Sequence, residues 1–142
     1  MLKQSLIFIL IFTAPFFSIG QHKDPGIDFF QGSWKEVKQK AKEEGKPIFV
    51  DAYATWCGPC KWMDAKVFTR NDVGNFYNDN FINYRYDMEK GAGKQFAKKH
   101  NVKFYPSLLF FSSDGDVIHR DRGAKKPDGF ISLGQKALTN TN

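Results

Sequence analysis

The chain has 142 residues, enough for one domain around one core, and its 42% hydrophobic and 16% aromatic content excludes a disordered or low-complexity protein. The net charge is +6, yet the 17 Lys and 4 Arg are dispersed, and the densest cluster, Lys35 to Lys46, is interleaved with Glu36, Glu43 and Glu44. That is a solvated helix face rather than a one-sided basic stripe, so no nucleic-acid partner is expected.

Residues 1–20 differ from the rest. Lys3 supplies one positive charge, Ser5 to Ile19 carries none, and Ser18-Ile19-Gly20 places small residues before a cut ahead of Gln21. This pattern predicts a signal peptide over 1–20 and an exported, periplasmic or otherwise extracytoplasmic protein. The apolar run is shorter than the roughly 20 residues a spanning helix needs, so the mature chain is expected to have no membrane span. Residues 21–32 read as a polar lead-in, and 33–142 as the folded domain.

Within that domain, Ser33 with Glu36 three residues on is a capping box, opening a helix that Gly45 stops near Glu44. Pro47 to Ala54 reads as a buried strand, and a helix follows from about Cys57. Asn71-Asp72 begins a short helical stretch over Val73 to Tyr77. Phe81 to Asp87 is a second strand, Gly91 to His100 a helix, and Pro106 to Ser112 a third, fully buried strand. Ser113 to Asp116 is a hairpin turn into an edge-like strand, Val117 to Arg122. Asp128 to Leu138 closes the chain as a helix. Helices separate the first three strands, which predicts an α/β fold with a mixed sheet between helical layers.

The chemistry centres on Trp56-Cys57-Gly58-Pro59-Cys60, which holds both cysteines of the protein. A strand before and a helix after put the first sulfur at a helix N-terminus, the setting in which a cysteine pair becomes a redox centre. A bridge closing so small a loop removes little unfolded-state entropy, so a purely structural disulfide is a poor reading. Cys57 is the candidate nucleophile, its thiolate favoured by unpaired N–H groups and the helix dipole. Pro59 suits the first helical turn, and Gly58-Pro59 keeps the loop short enough for Cys60 to attack. Cys60, expected to be the more buried, is the resolving thiol. Asp51, in the apolar run Ile48 to Tyr53, should have a pKa raised by desolvation and could move protons; strand alternation alone leaves open that it faces solvent. Trp56 is either docking surface or packing, and Trp62 divides the same two ways.

These residues resemble the thioredoxin superfamily. Trp-Cys-Gly-Pro-Cys stands at 56–60, Asp51 lies six residues before Cys57, Pro106 opens the strand before a hairpin, and Gly123 follows the last strand. The resemblance covers about residues 33–140 and implies a thioredoxin-like three-layer α/β/α sandwich with a mixed sheet of four to five strands. It implies a cis peptide at Tyr105-Pro106 and a substrate groove formed by Trp56, Gly58, Pro59, Tyr105, Pro106 and Gly123. The segment from Thr69 to Asn80 resembles exported members, including the C-terminal domain of the periplasmic thiol-transfer protein. One departure stands out: aligned on Asp87, Asn83 occupies the place of the family's lysine near the buried aspartate, with Arg85 two residues on.

The expected activity is therefore thiol–disulfide exchange through a redox disulfide Cys57–Cys60, most in keeping with a reductase of protein disulfides, since Gly-Pro between the cysteines resembles the reducing members. A membrane thiol-transfer protein would donate electrons, and the protein would act as a monomer without a cofactor. The alternatives are a disulfide oxidase or isomerase, and a non-catalytic binding module. A metal site is disfavoured, because zinc wants about four ligands and His22, His100 and His119 are far in sequence from the cysteines.

Overall fold

The computed structural model describes residues 26–141; the signal-peptide reading of 1–20 and the first residues of the lead-in lie outside them. Helix α1 (Trp34–Glu44) starts where the capping box requires: the Ser33 hydroxyl accepts from the Glu36 amide while the Glu36 carboxylate accepts from the Ser33 amide at 2.7 Å. Gly45 ends it in the left-handed conformation, φ 63°, which a side chain would resist. The chain then runs β1 (Ile48–Tyr53), α2 (Gly58–Lys66), α3 (Asn71–Asn80), β2 (Ile82–Asp87), α4 (Gly93–Lys99), β3 (Ser107–Phe111), β4 (Val117–Arg122) and α5 (Pro127–Thr139).

The four strands form one sheet in the order β2-β1-β3-β4. β1 is parallel to β2 and antiparallel to β3, and β3 and β4 form the expected hairpin. Central strand β1 reads Ile-Phe-Val-Asp-Ala-Tyr with five of six residues buried, as a strand covered on both faces must. Its alternation divides the core. Phe49 joins Leu108 and Phe110 beneath Met63, Tyr77 and Phe130, on the side of α2, α3 and α5. Ile48, Val50 and Ala52 join Leu109 and Phe111 beneath Val37, Ala41 and Phe96, on the side of α1 and α4. This is the three-layer α/β/α sandwich of the thioredoxin fold.

Two features differ from the sequence reading. α3 is ten residues long, not a short stretch from Val73 to Tyr77. Its polar Asn-rich sequence hides the helix, which tertiary packing stabilises: Tyr77 is fully buried, stacked on the Phe130 ring at 4.1 Å, and donates its hydroxyl hydrogen to the Phe130 carbonyl at 2.7 Å. The described part of the lead-in is also fastened to the body. Phe29 bridges Asn83 in parallel with β2, the Phe30 amide donates to the Asn83 carbonyl, and the Ile27 amide donates to the Phe68 carbonyl. Gly74 permits this approach, because a Cβ there would collide with the Gly26 backbone.

Tyr77→Phe keeps the stacked ring but removes the buried hydroxyl hydrogen bond. It should lower unfolding free energy by about 0.5–1.5 kcal/mol in a urea titration, whereas Tyr77→Ala should lower it by about 3–5 kcal/mol. Equal losses from the two would place the stabilisation in the hydrogen bond rather than the ring.

Candidate active site

The turn after β1 places both sulfurs at the start of α2. Cys57 is the N-cap, with extended backbone, and Gly58, Pro59 and Cys60 are the first three helical residues. The cysteines are joined as a disulfide, with 5.3 Å between Cα atoms. The Cys60 amide donates to Cys57 Sγ at 3.2 Å. The first sulfur thus takes the place an N-cap hydroxyl would hold, at the positive end of the helix dipole. Burial does not rank the two sulfurs as expected: each residue is only 2% exposed. Ala54, Tyr53 and Tyr105 close over both in the disulfide form, so helix position distinguishes them, not accessibility.

The Tyr105-Pro106 peptide is cis. The antiparallel register pairs Ala52 with Ser107, which brings this loop beside the end of β1 and the cysteine turn. Tyr105 packs on the cysteines, and the Trp56 indole meets its ring edge-on at 5.8 Å. Trp56 is 66% exposed, and its indole N–H donates to Glu89 Oε2 at 2.8 Å. Burial and the nearby Glu89 and Asp87 carboxylates raise the Tyr105 phenol above its usual pKa. Gly123, φ 80°, donates its amide hydrogen to the Pro106 carbonyl at 2.8 Å, so Gly123 joins the same rim. Gly58 and Pro59 are exposed on that rim, and a Cβ on Gly58 would meet nothing within 4 Å. Trp62 is 41% exposed on the outer side of α2.

Asp51 lies on the face of β1 that α2 covers, in step with Phe49, and is 1% exposed. It does not face solvent. Its Oδ2 accepts from Arg85 Nε at 3.0 Å, while its Oδ1 has no protein partner. Desolvation pushes its carboxyl up to about 7, against the pull of the Arg85 guanidinium and with some help from Asp64. The departure noted in the sequence resolves in the register. Asp51 pairs directly with Arg85 across β1 and β2, whereas Asn83 pairs with Phe49 and turns its amide to Asn78 and the lead-in. The buried aspartate has its cation, two residues further along than expected.

Arg85 reaches further than the sequence reading anticipated. Its other arm forms an ion pair with Asp64 Oδ1 at 2.7 Å, and its guanidinium lies 4.5 Å from the Tyr53 ring centroid. Asp64 follows Cys60 by four residues on α2, one helical turn, and that spacing was the available signal for its place below the site. Glu89 gave no such signal, because it lies in the turn after β2, 33 residues from Trp56. Among the described residues no group of three or more His, Cys, Asp or Glu converges to hold a metal ion, and no helix is long and apolar enough to cross a membrane.

A helix-capping disulfide beside a cis-proline loop, over a buried carboxylate of raised pKa, defines a thiol–disulfide oxidoreductase. Comparison with known proteins agrees. A family profile described as "Thioredoxin-like" matches residues 29–113. A thioredoxin of Aspergillus fumigatus is 34% identical over 94 residues, covering 66% of this chain and 80% of its own. The solution structure of a proposed disulphide isomerase from Bacteroides thetaiotaomicron superposes with TM-score 0.73 at 38% identity, over 82% of this chain and 96% of that one. The oxidised C-terminal domain of DsbD from Neisseria meningitidis shares the fold, with TM-score 0.64 at 23% identity over 78% of this chain and 99% of that one. The chain belongs to the thioredoxin-like family.

The burial of Asp51 has a pH signature. The unfolded carboxyl titrates near 3.8 and the folded one near 7. The folded chain therefore holds the extra proton between those values, and the stability gained is complete below about pH 4 and lost as pH rises through 7. Asp51→Asn, neutral at every pH, should exceed wild type in unfolding free energy by about 2–4 kcal/mol at pH 8 and match it near pH 4. Denaturant titrations at the two pH values check this, and an equal gap at both would show that Asp51 titrates normally.

Proposed function

We propose that the protein is an exported reductase of protein disulfides in which Cys57 attacks and Cys60 resolves. The observation that carries the reading is the position of Cys57 Sγ at the N-cap of α2, accepting from the Cys60 amide. The same amide and the helix dipole would hold a thiolate at Cys57 in the reduced protein, and the usual thiol pKa of about 8.5 falls in such settings.

In the cycle, the Cys57 thiolate attacks one sulfur of a substrate disulfide. A new S–S bond forms to Cys57, the substrate S–S bond breaks, and one substrate thiolate leaves. Cys60 then loses its proton and attacks the Cys57 sulfur, which releases the second substrate thiol and leaves the Cys57–Cys60 disulfide. The substrate gains two electrons and the protein loses two. Asp51, buried beneath α2 with one carboxylate oxygen unpaired, suits the acceptance of the Cys60 proton, directly or through water. Trp56, Gly58, Pro59, Tyr105, Pro106 and Gly123 form the docking rim, with the Tyr105 backbone available to an extended substrate.

Gly-Pro between the cysteines supports the reducing direction. The uncharged run from Ser5 to Ile19 supports export. Outside the membrane a reductase needs an electron source, and a membrane thiol-transfer protein is the donor class that fits a monomer with one dithiol. A second reading, disulfide isomerisation, is favoured by the name of the Bacteroides relative at 38% identity.

Cys60→Ser should stop turnover with a disulfide-bonded protein substrate and accumulate a covalent adduct on Cys57, visible by intact mass and reversed by dithiothreitol. Cys57→Ser should form no adduct. Adducts on Cys60 instead would reverse the assigned roles. Rescue of a scrambled substrate without net thiol release by wild type would favour isomerisation.

A further inference from the structure

Helices α1 and α4 cover β1, β2 and the end of β3 near Phe111 on their face of the sheet, while edge strand β4 keeps Val117, Arg120 and Arg122 exposed. A cavity of about 320 Å³ opens there. Ser107 and Leu109 of β3 form part of its floor, and the segment after α4, including Lys103 and Phe104, forms a wall. Arg122 and Arg120 of β4 pair with Ser107 and Leu109 in the ladder, so their side chains stand on the same face and complete the opposite wall.

The chemistry of the walls is one-sided. Lys103, Arg120 and Arg122 are all exposed, and among the described residues none is in an ion pair with a carboxylate. The one acidic residue lining the cavity, Asp121, already binds Lys125 at 3.2 Å. Phe104 is 56% exposed, and the Arg122 guanidinium lies 5.0 Å from its ring centroid. An exposed aromatic with an unpaired cation over its face offers stacking and charge to the same ligand. The cavity's lining residues adjoin those of the redox site along the chain. Phe104 precedes Tyr105, which packs on the cysteines, and Ser107 follows the cis-proline, while Arg122 precedes Gly123 on the docking rim.

We propose that this groove binds an acidic, extended polypeptide segment flanking the substrate's cysteine, so that the protein selects disulfides set among aspartate and glutamate residues. This rests on the reductase reading given above and adds the charge class of the substrate. A chain leaving Cys57 over Tyr105 can continue past Phe104 into the groove, where its carboxylates meet Lys103, Arg120 and Arg122. Complementary charge at an exposed site acts chiefly on association and selectivity, and is weakened by salt.

The test uses two disulfide-linked peptides of equal length, one with glutamates and one with glutamines around the cysteine, and the uncharged reagent dipyridyl disulfide. Wild type, first reduced and freed of reductant, should transfer its two electrons to the glutamate peptide in a single turnover with a second-order rate constant roughly three- to tenfold above that for the glutamine peptide, the scale of a few exposed ion pairs. The preference should shrink in about 0.5 M salt. Lys103→Glu/Arg122→Glu changes two side chains with no ion-pair partner among the described residues. It should abolish or invert the preference while leaving the rate with dipyridyl disulfide unchanged. No preference in wild type, or a preference that survives the double substitution, overturns the proposal. A fluorescent glutamate peptide without cysteine separates the two readings. Anisotropy should show it binding wild type more tightly than the double variant even if dipyridyl disulfide is not reduced. That combination would remove the reductase reading alone, and equal binding to both proteins would remove the groove.

Discussion

The register between β1 and β3 is the constraint on which the site depends. Ala52 opposite Ser107 puts the loop that ends at Pro106 against the turn that begins at Ala54, so two stretches fifty residues apart in sequence meet at the sulfurs. The same register fixes which face each side chain takes. A slip of one residue would move Phe49 and Asp51 to the side of α1 and α4 and bring Val50 under α2. The aromatic packing of Phe49 with Tyr77, Phe110 and Phe130 opposes that slip, because those rings would lose their shared contacts at once. Core packing and redox geometry are therefore specified by one set of contacts.

On that frame the electrostatics are arranged around a carboxylate that burial makes unfavourable to ionise. Asp51 gains a guanidinium partner, yet the balance leaves it near neutrality rather than firmly charged. Arg85 is shared with Asp64 and held against aromatic rings, which divides its charge between two acids. A carboxyl poised between its two states is more useful for moving a proton than one locked as an anion. The helix end favours the anionic form of one sulfur, while the buried carboxyl favours neither of its own forms. That difference supports assigning attack and proton transfer to separate groups.

Much of this was legible in the sequence. The capping box at Ser33, the stop at Gly45, the hairpin at Ser113 to Asp116 and the pair Cys57/Cys60 are local signals, and each is met in the structure. Other features depend on pairing across the sheet, which spacing along the chain does not convey. Alignment on Asp87 puts Asn83 near the buried aspartate, whereas the parallel register opposes Asp51 to Arg85. Periodicity undervalued α3, because Asn75, Asn78 and Asn80 disguise a helix that Tyr77 and Gly74 anchor by tertiary contact. The cis geometry at Pro106 followed only from the resemblance, since a proline at the start of a strand is ordinarily trans. The burial of Cys57 could not be read from sequence at all, because Tyr105 arrives from a distant loop to cover it.

The most direct measurement is the equilibrium reduction potential of the Cys57/Cys60 couple, titrated against defined thiol buffers with the protein's thiols counted at each step. A reductase should show a single two-electron transition at about −270 mV, in the range of reducing thioredoxins. A potential of about −180 mV or higher would contradict the reducing direction and favour oxidation or isomerisation. Failure to find any reversible two-electron couple would contradict the thiol–disulfide chemistry itself.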